Sequence, residues 1–336
     1  MEREQGKHRN AIKSYEGDCK MFRKIGVFAC KLATSVNPWT NVYGLARSLL
    51  AIAMVLTLSM NDARVFFRPS STSMIYPACK ESISMFCMVP NDYLYLNIVR
   101  WIAVILLLIV ASGWKPKITG IIHWWIAYSM NVSALTLDGG EQVNAVLTLL
   151  LLPVTLTDSR GWHWQKYDSS EKPIDQIISK RIIALISVFA IRFQIAILYL
   201  HSSIAKLFEP TWLDGTAVYY FLSDPMLGLP PFFLRLVNPI LTSALVVIPT
   251  WGTLILQMLL FGALFAPKNH WRYYLIAALL LHETIAIMLG LVTFSISMSA
   301  ALILFLVPVE REFEFSQKYI KILIKNIKVN ILKKEL

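Results

Sequence analysis

Eight apolar runs, at approximately residues 43–60, 93–112, 118–137, 142–158, 181–205, 248–266, 271–290 and 291–308, dominate the chain. Each lies near the ~20 residues that an α-helix needs to cross a hydrocarbon core of about 30 Å. Backbone in hydrocarbon must satisfy its own hydrogen bonds, which a helix does within one segment. The pattern predicts an all-α integral membrane protein of about eight transmembrane helices. Composition agrees, with 56% of the 336 residues hydrophobic and 16% charged, against roughly 45–50% and about 25% in a soluble domain. A shorter run at 232–247 is punctuated by Pro239 and Pro249 and reads as an interfacial or re-entrant piece after the fifth span, not a ninth helix.

The net charge of +11 does not point to nucleic acid, because the basic residues flank the apolar runs. With eight spans and the amino terminus inside, 24 lysines and arginines fall in inner segments and 5 in outer ones (Arg64, Arg68, Lys80, Lys206 and Arg235). That asymmetry predicts cytoplasmic termini, and shifting the count by one span would destroy it. The chain divides into a basic segment (1–36), a transmembrane domain (37–309) and a basic tail (310–336).

Both ends carry helical periodicity. Met21, Ile25, Phe28 and Leu32 share a stripe beside Arg23, Lys24 and Lys31, and Ile320, Leu323, Ile324, Ile327 and Ile331 share one beside four lysines. Such stripes suit an anionic bilayer surface; a helix packed on the protein's own loops and a solvated tail are the plainer alternatives. No cleavable signal peptide is visible in the first 36 residues. Cys19 and Cys30 fall in the inner segment, whereas Cys79 and Cys87 share the outer loop after the first span, where either a disulfide or two free thiols is compatible with the sequence.

Charges within spans are costly and face a partner or a wet cavity. Arg47, near the inner end of the first span, can snorkel to the interface; Arg100 is ambiguous. Arg192 and Glu283 each lie eleven residues from an inner-end arginine, Arg181 and Arg272, which puts both at about 16 Å of helix rise. Equal depth predicts an Arg192–Glu283 pair with His282 beside it.

Residues 199–230, where an apolar run ends in Lys206 and gives way to turns, aromatics and acids, form the candidate site. At 100° per residue Arg192, Tyr199, Ser203 and Lys206 share a face, while His201 lies some 140° from Lys206. Trp212, Tyr219 and Phe221 can wall a pocket that lowers the lysine's pKa by desolvation, as a base would need; alternatively Lys206 is an interfacial anchor. The third span leads outward into residues 138–142, DGGEQ, whose Asp138 and Glu141 sit at the outer level of Lys206. They read either as part of an amine–carboxylate cluster or as a tight turn bent by Gly139 and Gly140. No internal repeat, phosphate loop or metal-spaced His/Cys set is present, which disfavours a transporter, an ATP-driven enzyme and a metal site.

The stretch NPWTNVYGLARSLLA (37–51), with ND at 61–62 and FRP at 67–69, resembles the opening of the SdpB family, membrane components of sporulation-delaying peptide toxin systems of Gram-positive bacteria. The resemblance implies a multi-pass protein of the bacterial cytoplasmic membrane that acts in maturation of a secreted antimicrobial peptide, or bacteriocin, with an SdpA-like partner and an SdpC-like precursor. More distantly, AKLFEPTWLDG (205–215) followed by Tyr219 and Tyr220 is similar to a segment of vitamin K-dependent gamma-glutamyl carboxylases, also of the HTTM group. That similarity implies an HTTM-like bundle, a base role for Lys206, a match for His282 and a quinone as cofactor. The carboxylases carry Asn-Asn-His near the place of Asp138–Gln142, and a lumenal domain that has no counterpart here. The sequence leaves open a membrane enzyme processing an exported precursor at the outer face, and a non-catalytic peptide conduit or immunity receptor.

Overall fold

The computed structural model describes residues 24, 26–69, 76–79, 82–167 and 174–313, with backbone alone at 174–176. The tail stripe, and Met21 and Ile25 of the amino-terminal one, lie outside the described residues.

Among the described residues eight helices of fifteen residues or more follow one another: α1 (Asn41–Met60), α2 (Tyr93–Ser112), α3 (Pro116–Ser133), α4 (Gly139–Thr157), α5 (Ile174–Leu207), α6 (Val247–Gly262), α7 (Trp271–Leu289) and α8 (Val292–Leu306). Six of them are long and apolar enough to cross a membrane: α1, α2, α4, α5, α7, and α6 together with the turn before it. The other two are α3, diluted by Lys117, His123 and Asn131, and the shorter α8. Among the described residues there is no strand. The protein is an all-α membrane protein.

Local chemistry sets the helix ends. Asp92 accepts from the Leu94 amide at 2.7 Å and opens α2, Pro116 occupies the first turn of α3 where its missing N–H costs nothing, and Asp138 opens α4. The third apolar run stops at Ser133, earlier than the predicted 137. Leu135 turns out of the helix to donate to Phe66 O at 3.0 Å, and Ser133 O accepts from the Ala78 amide. The predicted interfacial piece is a helix, Pro231–Leu241, whose Phe232, Leu236 and Ile240 stand exposed along one side.

Helix α8 is the hub. It is apolar all round, is buried for most of its length, and packs against α1, α4, α5 and α7, as an all-round apolar helix must. Around it, α1 packs on α2, α3 on α4, and α5 on both α4 and α6. Outward faces are also apolar: Ile102 and Ile105 on α2, Ile186 and Phe189 on α5, and Ile276 and Leu280 on α7 are all exposed. Apolar surface on both sides is what a bilayer solvent selects. Asn41 exchanges two hydrogen bonds with the Phe313 backbone, at 2.6 and 2.7 Å, so the described chain enters and leaves the bundle at one end. Lys206 and the described residues of the 61–92 stretch lie at the other.

At the Asn41 end Arg47 does not snorkel. It is 1% exposed, donates to Thr119 Oγ1 and lies 3.4 Å from His163 Nδ1. Residues 158–164 fold back against the bundle and take the guanidinium in place of water. Ser48 stands 3.3 Å from His163 Nε2, and Asp158 accepts from Tyr43 at 2.9 Å while pairing with Arg160 at 2.8 Å. Arg100 is likewise held inside, donating to Leu58 O and, at 2.8 Å, to Asn97.

Candidate functional site

A cavity of about 520 Å³ opens between α4, α5, α7 and α8 in the half of the bundle nearer Lys206. Val143, Leu147, Ile195, Phe294 and Met298 make its walls apolar, and Tyr199, His201, Ser202, Gln257 and His282 make it selectively polar. A few convergent polar groups on an apolar wall is the general form of a ligand site. The first turn of α4 closes one side, and this close approach requires Gly140, where a Cβ would come within 2.9 Å of the Phe294 Cα.

Two polar pairs occupy α5. Tyr199, 1% exposed, lies with its phenol 3.0 Å from Nε2 of His282, itself 3% exposed. A phenol that donates to Nε2 leaves the ring proton on Nδ1, and Nδ1 is buried without a hydrogen-bond partner among the described residues. Two turns on, Lys206 donates to Ser202 Oγ at 2.7 Å and Ser202 O at 3.3 Å, and Ser202 Oγ reaches Gln257 Oε1 at 3.5 Å. The ammonium sits 5.3 Å from the centroid of Trp212, a cation–π distance, and Trp212 packs on Phe221 at 6.0 Å. Of the walls expected around Lys206, Trp212 stands against the ammonium and Phe221 reaches it only by packing on Trp212, whereas Tyr219 is turned edge-on to Tyr220. His201 is exposed and lines the cavity, two residues from Tyr199, the partner of His282.

Asp138 and Glu141 do not join Lys206. Asp138 Oδ1 accepts from the amides of Gly140 and Glu141 at 2.6 and 3.2 Å, and Glu141 Oε2 accepts from the Asp138 amide at 3.0 Å. This is a capping box, in which orphan N–H groups at the start of α4 consume the carboxylates. Glu141 Oε1 also accepts from Thr57 at 2.8 Å. Among the described residues neither acid is ion-paired with the lysine. The turn that stands where the carboxylases place Asn-Asn-His is therefore a helix cap. The residues present do not reproduce that arrangement, and no quinone step is assigned to Lys206.

The Arg192–Glu283 pair is not formed either. Arg192 donates to Val307 O at 2.9 Å and Leu304 O at 3.4 Å, stacked 4.7 Å from the Trp271 centroid. These carbonyls end α8, the negative pole of its dipole. Glu283 accepts from Ser295 at 3.0 Å. Ser295 and Val307 are twelve residues apart on one helix, about 18 Å of rise, so the two charges sit at different depths. Counting from the nearest arginine gave equal depths because it ignored where each helix enters the bundle.

Cys79 and Cys87 form a disulfide with a Cα separation of 5.7 Å, and Cys87 Sγ lies 3.7 Å from Ser133 Oγ. It sits at the Lys206 end of the bundle. Among the described residues no group of His, Cys, Asp or Glu could hold a metal ion. The sequence reading missed Ser202 and Gln257. Both were visible as polar residues within apolar runs, but a search restricted to formal charges passes over an amide and a hydroxyl.

No protein-family model and no solved structure matches the chain. YitO, an uncharacterized protein of Bacillus subtilis (strain 168), is 50% identical to it over 293 residues, which is 87% of this chain and 93% of that one. The sporulation-delaying protein SdpB of the same organism is 36% identical over 277 residues, 82% of this chain and 84% of its own. At that identity and over that share of both chains, the chain belongs to the SdpB family.

Proposed function

We propose that this protein is a multi-pass component of the bacterial cytoplasmic membrane that acts in the maturation of a secreted antimicrobial peptide. The basic Asn41 end faces the cytoplasm, following the 24-to-5 distribution of basic residues, and the cavity works from the outer half. An SdpC-like precursor is the substrate and an SdpA-like protein the partner. Kinship with a sporulation-delaying protein supports the pathway. The observation that carries the reading is the cavity near Lys206, where the hydroxyls of Tyr199 and Ser202, the amide of Gln257 and the imidazole of His282 line one apolar space, with the Lys206 ammonium bonded to Ser202 of that lining. Exported peptide reaching that space meets a hydrogen-bonding wall shielded from bulk water, where such bonds are strong.

Consumption of Asp138 and Glu141 by the cap favours a second reading, in which the site holds peptide without acid–base chemistry of its own. Replacing Lys206 by Arg and by Ala, with the precursor co-expressed and mature peptide scored by mass, separates the two. A base role predicts loss in both variants. Charge-based holding predicts loss in Ala and retention in Arg. Normal yield from both removes Lys206 from the site.

A further inference from the structure

At the opposite end of the bundle, a second cavity of about 430 Å³ lies between the start of α7 and the end of α8, large enough for a ligand head. Its rim is cationic: Lys268, His270, Arg272 and Arg311 all line it. Behind its wall stands a fifth basic group, Arg192, stacked on Trp271 and bonded to Val307 O. Among the described residues the acid that answers them is Glu310, which accepts from Lys268 at 2.7 Å. Among the described residues Arg272 and Arg311 are in no ion pair.

The wall is built, not incidental. The Trp271 indole donates to Ala266 O at 3.0 Å while Arg192 covers its ring. The floor is apolar, made by Leu275, Leu306 and Val307. From the mouth, Tyr273, Ile276, Leu280 and Ile287 continue along α7, each more than half exposed. At helical spacings of three, four and seven residues they form one stripe. A cationic head pocket opening onto an apolar stripe matches a molecule with an anionic head and hydrocarbon tails. Basic residues that served only to orient the chain would need neither concavity nor stripe.

We propose that this cavity binds the phosphate head of an anionic phospholipid, with the acyl chains lying on the exposed face of α7. Basic pockets between helices at the cytoplasmic surface are suited to such heads, and arginine forks match phosphate oxygens two at a time. The site is independent of peptide maturation.

The purified full-length chain in neutral detergent is titrated with dioleoylphosphatidylglycerol, dioleoylphosphatidylcholine or inorganic phosphate, and bound lipid is counted by native mass spectrometry alongside thermal unfolding. The expected result is retained and stabilising phosphatidylglycerol, little phosphatidylcholine, and no comparable effect of phosphate. The Arg272→Gln/Arg311→Gln pair should weaken phosphatidylglycerol binding about thirtyfold, and Arg272→Lys/Arg311→Lys should restore most of it. Stabilisation by phosphate equal to that by lipid would assign the site to a soluble anion and overturn the lipid. Equal phosphatidylglycerol retention by wild type and the glutamine pair would overturn the site itself, provided the apo proteins unfold at similar temperatures. A glutamine pair that fails to fold shifts the comparison to Lys268→Gln, for which reduced lipid retention is expected and unchanged retention again overturns the site.

Discussion

The phenol of Tyr199 and Nε2 of His282 meet at 3.0 Å between α5 and α7, and the imidazole's other nitrogen has no partner among the described residues. A buried donor left unmade costs about 1–3 kcal/mol, which a ligand in the cavity would offset. His282→Gln keeps an oxygen near the Nε2 position to accept from Tyr199 but removes the Nδ1 donor. We expect this variant to unfold within about 1.5 kcal/mol of wild type yet to yield little mature peptide. His282→Leu should lose both stability and product. Equal product from wild type and His282→Gln would exclude Nδ1 from the function.

Asp138 should behave as a cap and not as a catalyst. Asn is as good an N-cap as Asp and Ala is not. Asp138→Asn is therefore expected to retain stability and peptide yield. Asp138→Ala should lose roughly 1 kcal/mol, seen as a lower unfolding midpoint, with yield falling only as far as folded protein does. Loss of product in Asp138→Asn at wild-type stability would return the carboxylate to the chemistry.

The spans were legible because a bilayer imposes length and apolarity on every crossing helix, and the runs at 43–60 and 93–112 became helices with nearly those bounds. The Lys206–Trp212 contact was legible because both residues lie within two turns of one another in sequence. Partnerships between distant helices were not. Arg192 had an acid at similar reckoned depth, yet a helix terminus supplied carbonyl oxygens nearer at hand. Arg47 read as an anchor because nothing in its own helix signals that residues 158–164 return to cover it. Helix-wheel geometry sorts faces of a single helix, and which faces meet is decided by packing around α8, a helix whose uniform apolarity gives no directional signal.

Arg47 and His163 make that returning segment sensitive to substitution and to acid. Arg47→Ala strips a partner from His163 Nδ1, while Thr119 keeps its bonds to Trp114 O and Lys115 O, and a buried group left unsatisfied costs about 1–3 kcal/mol. Gly113→Ala should act similarly, since a Cβ there runs into the His163 ring and Gly113 has φ +90°. Burial, with the charges of Arg47 and Arg160, pushes the His163 imidazole down to about 2. The folded loop thus keeps it neutral, whereas the released loop takes up a proton below about 6.5. Stability from this residue is complete above that pH and is lost as pH falls toward the folded value. Limited proteolysis between 158 and 167 should accelerate from pH 7 to pH 5, and His163→Gln should flatten that dependence; an unchanged slope would show that another group sets it.

The disulfide between Cys79 and Cys87 tests the orientation of the bundle. Disulfides persist outside the cytoplasm and are rare within it, which accords with the proposed orientation, in which the loop that carries this one lies on the outer face together with Lys206. In intact cells treated with a membrane-impermeant reductant, a membrane-impermeant maleimide should label Cys79 and Cys87, and without reductant it should not. Cys30, exposed at the Asn41 end, should label only after permeabilisation, which makes each cysteine a control for the other. Cys79→Ser/Cys87→Ser should lower stability by about 2–4 kcal/mol. Labelling of Cys30 in intact cells, with Cys79 and Cys87 protected until permeabilisation, would invert the bundle and place the cavity beneath Lys206 on the cytoplasmic side, out of reach of an exported peptide.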